Sequence, residues 1–152
     1  MNEQIDPKRP FGICLALALL GIALVVLSIF SQELGIDPNP GFGLIHIIGI
    51  LVGSTFLAGA GYMFIARRRR KGEQISLISD IGLRMGMTGL LALYVSGLAD
   101  WLGVGTHRDE LFDDAWFGPL QFVGFSIGVA IILAGMLLFW YGGRMKAARS
   151  AD

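Results

Sequence analysis

The chain has 152 residues, 54% hydrophobic and only 16% charged, with a formal net charge of zero. A soluble domain carries about 25% charged residues, so this composition argues against an ordinary water-soluble globule. The single cysteine, Cys14, excludes an internal disulfide, a thiol-pair redox centre and a multi-cysteine metal site.

Four apolar runs follow one another: Phe11–Phe30, Phe42–Ala66, Ile81–Val104 and Trp116–Tyr141. A helix needs roughly 20 apolar residues to cross a hydrocarbon core about 30 Å thick, and every run is long enough. Buried soluble helices are the competing reading, but four such runs leave too little polar sequence to wrap them. The first run contains no charged residue. It follows Lys8 and Arg9 as a secretory signal would, yet it exceeds the apolar core of about 7–15 residues usual in signals, and no small-x-small cleavage site follows. It is read as a retained span. Asp37-Pro38-Asn39-Pro40-Gly41 breaks the chain before the second run. Pro119 suits the first turn of the fourth, where its missing N–H costs nothing, and Gly142-Gly143 is expected to end that span.

Orientation follows from the basic residues. Lys8 and Arg9 precede the first span, Arg67-Arg68-Arg69-Arg70-Lys71 separates the second from the third, and Arg144, Lys146 and Arg149 follow the fourth. The other two connections contain Arg108 against Glu33, Asp37, Asp109, Glu110, Asp113 and Asp114. Short Lys/Arg-rich segments stay cytoplasmic, which puts both termini and the centre inside, as an even number of spans requires. Phe30, Phe42, Trp101, Trp116 and Phe117 then fall at the outer boundary, and Phe11, Tyr62, Phe64, Trp140 and Tyr141 at the inner one, where aromatic rings prefer to sit.

The two halves resemble each other. Phe42-Gly-Leu-Ile-His-Ile-Ile-Gly-Ile-Leu-Val-Gly53 aligns without a gap on Phe117-Gly-Pro-Leu-Gln-Phe-Val-Gly-Phe-Ser-Ile-Gly128, with His46 opposite Gln121. Upstream, Leu34-Gly35-Ile36 matches Leu102-Gly103-Val104. The expected fold is an all-α integral membrane protein of four transmembrane helices, two tandem hairpins in parallel repeat forming one four-helix bundle. Repeat 1 covers about 11–66, a cytoplasmic basic linker 67–80, repeat 2 about 81–141 and a cytoplasmic tail 142–152, all in a single domain. His46, Gly49, Gly53 and Ala60 share one helical face, as do Gln121, Gly124, Gly128 and Gly135. Gly49-xxx-Gly53 and Gly124-xxx-Gly128 are small-xxx-small grooves of the kind that pack helices in membranes. The third span has a stripe of its own in Arg84, Thr88, Ala92, Ser96 and Asp100, and the three stripes are expected to face one another, leaving the first span toward lipid.

His46, Asp100, His107 and Gln121 are the candidate ligand-binding residues, gathered toward the outer side. Imidazole and carboxylate are ordinary ligands of divalent cations, and a lone intramembrane histidine could hold a chlorophyll; a bis-histidine haem would need His107 from a loop. Their spacing matches no metal motif, and Gln121 replaces histidine in the second half, so no metal or cofactor is expected. An interhelical hydrogen bond is the preferred role of His46 and Gln121. Arg84 and Asp100 are the charged residues inside predicted spans, both near an end, and Asp80 stands four residues before Arg84 in position for a helical ion pair. The basic run Arg67–Lys71 fixes topology and attracts anionic headgroups. Nucleic acid is not an expected partner, because no second basic face or aromatic platform accompanies that run. Phosphate loops, Ser-His-Asp sets and zinc-protease helices are absent from the sequence. The expectation is therefore a non-enzymatic accessory or scaffolding subunit, working by helix packing with itself or within a larger membrane complex. The alternative is a small-molecule, cation or pigment binding or transport protein using the outer-leaflet residues.

Overall fold

A computed structural model of the chain describes residues 9–31, 33–35, 44–67, 76–99 and 119–149. Four helices make up the described residues: α1 Arg9–Ile29, α2 Leu44–Arg67, α3 Leu77–Gly97 and α4 Pro119–Arg149. Each is long and apolar enough to cross a membrane.

The helix ends depart from the apolar runs where capping chemistry intervenes. The third run predicted a helix over 81–104, but α3 begins a turn earlier. Ser76 is its N-cap: the hydroxyl accepts a hydrogen bond from the Ser79 N–H at 3.2 Å, and Asp80 lies in the first turn. Hydropathy discounts those polar residues, although they are what starts the helix. At the other end the Leu98 N–H turns back to the Tyr94 carbonyl at 2.9 Å, closing α3 before Asp100. α4 runs straight through Gly142-Gly143, which therefore does not end it. Gly142 serves close approach instead. A Cβ there would lie 2.6 Å from the Ser79 hydroxyl oxygen and 2.7 Å from that of Ser76. After α1 the chain turns at Gly35, whose φ of +67° is a left-handed conformation that L side chains rarely adopt.

α1 lies along α2 and α3 along α4, while α2 alone bridges the two pairs by touching both α3 and α4. The core consists of Ile47, Leu51 and Ala58 of α2, Leu93 of α3 and Ile132 of α4, with Leu90, Tyr94, Leu98, Phe125 and Met136 packed around it. α1 meets neither α3 nor α4.

The expected meeting of three stripes holds only in part. The stripe of α4 turns to α3, where Gly124 meets Ser96 of the α3 stripe and Gly128 meets Gly89 and Leu93 beside it, but Gly49 and Gly53 of α2 turn away to α1. α3 buries Ser79, Gly82, Gly86, Gly89, Leu93 and Gly97, whereas Arg84 and Thr88 are exposed. A strict interval of four residues advances about 40° per step around an α-helix, so a stripe drawn that way drifts off any one face.

Candidate functional site

The polar side chains buried between helices fall into groups at the two ends and the middle of the bundle. At the end formed by the start of α2 and the end of α1, His46 is buried and its Nε2 shares a hydrogen bond with the Ser31 hydroxyl, itself buried just beyond α1. Which of the two donates depends on the imidazole tautomer. Gln121 is likewise buried, near the start of α4. Of the other two candidate ligands, Asp100 and His107 lie outside the described residues. Among the described residues no group of three His, Cys, Asp or Glu side chains could hold a metal ion.

In the middle, Thr55 of α2 and Tyr94 of α3 join hydroxyls at 3.0 Å, and Thr55 also donates to the Leu51 carbonyl at 2.9 Å. Two turns further along α2 the Tyr62 hydroxyl donates to the Gly82 carbonyl at 2.9 Å, and its ring meets Phe139 edge-on at 5.3 Å. Tyr62 is thus a link from α2 to α3 and α4, where its place in the run predicted a headgroup ring. Gly86 makes room for it, because a Cβ there would strike the phenol oxygen.

At the opposite end two serines tie α3 to α4. Ser76 donates to the Gly142 carbonyl at 3.0 Å, and the fully buried Ser79 to the Phe139 carbonyl at 3.2 Å. On the surface nearby, the Arg67 guanidinium stands 5.1 Å from the centre of the Phe11 ring and that of Arg144 4.3 Å from Trp140. Arg68, Arg69, Arg70 and Lys71 lie outside the described residues. Arg84 pairs with Asp80 at 2.9 Å on an exposed face. It sits seven residues into α3, about 10 Å along the axis, which is deeper than a helix-end position.

Four glycines let neighbouring helices approach closely, Gly53 and Gly128 against backbone and Gly49 and Gly124 against a serine side chain. A Cβ at Gly49 would overlap the Ser28 hydroxyl, and one at Gly53 would lie 2.8 Å from the Gly21 carbonyl oxygen and 3.1 Å from the Val25 nitrogen. In the other pair, a Cβ at Gly124 would overlap the Ser96 hydroxyl, and one at Gly128 would lie 3.0 Å from the Gly89 carbonyl oxygen and the Leu93 nitrogen. Such approach gives dispersion contact along whole helix faces, the main source of helix association where no water is displaced.

Ser31, Ser76 and Ser79 were not singled out by sequence reasoning. A serine at the edge of an apolar run reads equally well as a cap, a turn or a packing residue. Its partner carbonyl or imidazole is fixed only in three dimensions. The Ser31–His46 pair is open to a direct test. Ser31→Ala and His46→Ala should each lower stability by about 0.6–2 kcal/mol. The double variant should cost less than their sum, since contacting residues couple. Unfolding in detergent measures all three; strict additivity would mean that the two side chains act independently.

No family model, no curated protein and no solved structure significantly matches the chain.

Proposed function

We propose that this is a multi-pass membrane protein whose four helices cross the bilayer as two duplicated hairpins, with both termini and the basic run Arg67–Lys71 on the cytoplasmic side. Its work is non-enzymatic: it is an accessory or scaffolding subunit that associates laterally, with its own copies or within a larger membrane complex, and meets anionic headgroups through the basic run.

The observation that carries the membrane reading is the character of the outward faces. Leu19, Ile22, Val26 and Ile29 of α1, Met87 and Leu91 of α3, and Phe122, Ile127, Leu133 and Leu137 of α4 are all exposed. Soluble monomers rarely expose contiguous apolar patches beyond a few hundred Å². The hydroxyls on these faces turn inward to their own helix: Thr88 donates to the Arg84 carbonyl at 3.0 Å and Ser126 to the Phe122 carbonyl at 2.8 Å. In hydrocarbon a polar group must find its partner internally, and these do.

Duplication is supported by agreement between contacts and sequence. Residues 21, 25 and 28 of α1 meet 49, 53 and 57 of α2, and residues 89, 93 and 96 of α3 meet 124, 128 and 132 of α4. Every α3 residue in that set stands at one constant offset from its α1 counterpart, and every α4 residue at a second constant offset from its α2 counterpart. The match of Leu34-Gly35-Ile36 with Leu102-Gly103-Val104 falls on the first offset, and that of Phe42–Gly53 with Phe117–Gly128 on the second. Contacts between helices and letters in the chain are separate signals, and they align the halves identically.

A scaffolding role fits polar groups that are taken up by neighbouring helices, such as His46 by Ser31. Membranes washed with alkaline carbonate should retain the protein in the pellet, and native electrophoresis after mild detergent should show it well above the monomer mass. Release by carbonate would overturn the membrane reading; migration as a lone monomer at every detergent level would overturn the scaffolding one.

A further inference from the structure

We propose that α4 of one copy is docked by α1 of a second copy, through the same contact that α3 makes with α2 inside a single chain. The inference rests on the duplicated-hairpin reading and adds the surface, the partner and the polarity of the assembly.

Within the chain, the second hairpin lays its first helix, α3, against the second helix of the hairpin before it, α2. A Cβ at Gly97 would lie 3.2 Å from Leu51 and 3.3 Å from Ile47, and Tyr94 reaches Thr55. The contact is therefore between unlike faces. It uses the α2 face of the first hairpin and the α3 face of the second. Their equivalents, on α4 and on α1, are left uncovered, because α1 and α4 do not touch.

Exposure at paired positions registers the missing neighbour. On the offsets that align the halves, Ile47 corresponds to Phe122, Leu51 to Ser126, and Gly97 to Ile29. Ile47 and Leu51 are 6% and 1% exposed and Gly97 is buried, whereas Phe122 and Ile29 are 63% and 44% exposed and Ser126 is exposed too. The substitutions between the halves are also complementary. Where small Gly97 meets large Leu51, the open pair sets large Ile29 toward small Ser126, exchanging bulk between the sides, while the Gly97–Ile47 contact becomes the larger pair Ile29 and Phe122. Where Tyr94 meets Thr55 through hydroxyls, the open pair has Val26 and Ala130, with neither hydroxyl. Loss of both hydroxyls would suit lipid as well, so it is the exchange of bulk between Gly97–Leu51 and Ile29–Ser126 that points to a second copy. A head-to-tail contact of this kind repeats from copy to copy and closes into a ring when the rotation allows.

The test uses full-length protein in native membranes with Cys14→Ala as background. Ile29→Cys and Ser126→Cys are placed on separate chains carrying tags of different size, co-expressed and oxidised. The expected result is a band shifted to the summed mass of the two tagged chains, with no covalent dimer when either variant is expressed alone. Leu51→Cys with Gly97→Cys in one chain is the internal control. After trypsin cuts the basic run, its two halves should stay joined until reduced. If the control links and the mixed pair does not, α1 and α4 are covered by lipid or another protein and the proposal falls while the hairpin reading stands. If Ile29→Cys alone dimerises, the interface pairs like faces and the proposal falls as well. If the control itself fails to link, α3 does not lie on α2 as the inference requires, and the proposal falls while the hairpin reading, which rests on the α1–α2 and α3–α4 contacts, stands.

Discussion

Gly135→Leu is expected to prise α4 from α3 and abolish cooperative unfolding, and Gly135→Ala to cost about 1–3 kcal/mol, the range for overpacking a tight contact. A Cβ at Gly135 would lie 2.6 Å from the Gly82 carbonyl oxygen and 2.8 Å from the Gly86 nitrogen; one at Gly82 would lie 2.6 Å from the Gly135 carbonyl oxygen. These neighbours are backbone atoms, so no side chain can rotate away and the helices themselves must part. Separation would also pull Gly82 from the Tyr62 hydroxyl that donates to its carbonyl. Against this stands the better helix propensity of alanine, worth up to about 1 kcal/mol over glycine. Gly59 separates the two effects, since a Cβ there meets nothing within 4 Å. Gly59→Ala should be neutral or slightly stabilising. Thermal unfolding in detergent compares the set, and a Gly135→Ala protein that behaved like Gly59→Ala would refute the close α3–α4 seam.

What could be read in the sequence was whatever hydrocarbon length and residue size dictate by themselves. Four apolar runs correspond to four helices, each long and apolar enough to cross a membrane. Gly49, Gly53, Gly124 and Gly128 stand out because small side chains at an interval of four form a groove. Spacing describes one helix, however, and does not say which neighbour fills that groove. The expectation that α2, α3 and α4 would turn their stripes to one another failed for α2, whose Gly49 and Gly53 take α1, and held for α4, whose Gly124 meets Ser96 of α3. Hydroxyl partners were illegible for a related reason. Ser79 and Tyr62 bind carbonyls of residues 139 and 82, and nothing in the intervening sequence marks those two carbonyls among so many. Gly142 shows that the same residue type carries opposite signals. A glycine pair before a basic tail reads as a stop, yet here it lets α4 pass beside Ser76 and Ser79 without interruption.

Replacing Arg68, Arg69, Arg70 and Lys71 with glutamine is expected to unfix the orientation of the whole protein. Arg67 is left in place because its guanidinium lies over Phe11 and ties α2 to the start of α1. Each basic residue near an anionic leaflet is worth about 1 kcal/mol, so the four together contribute roughly 4 kcal/mol, nearly three powers of ten in a two-way choice of side. Lys8 and Arg9 at one terminus and Arg144, Lys146 and Arg149 at the other still favour the inside, so the result should be a mixture with a measurable inverted share. A cysteine at Gln74→Cys in a Cys14→Ala background reports the outcome. In the parent it reacts with an impermeant maleimide only after permeabilisation; in the glutamine variant a fraction reacts from outside. Substituting lysine for Arg68, Arg69 and Arg70 should change nothing, because retention inside depends on positive charge and not on the guanidinium fork. A glutamine variant still wholly protected would relieve the central run of any part in topology, and a lysine variant that altered the labelling would turn the run into a specific docking site for a carboxylate or phosphate partner.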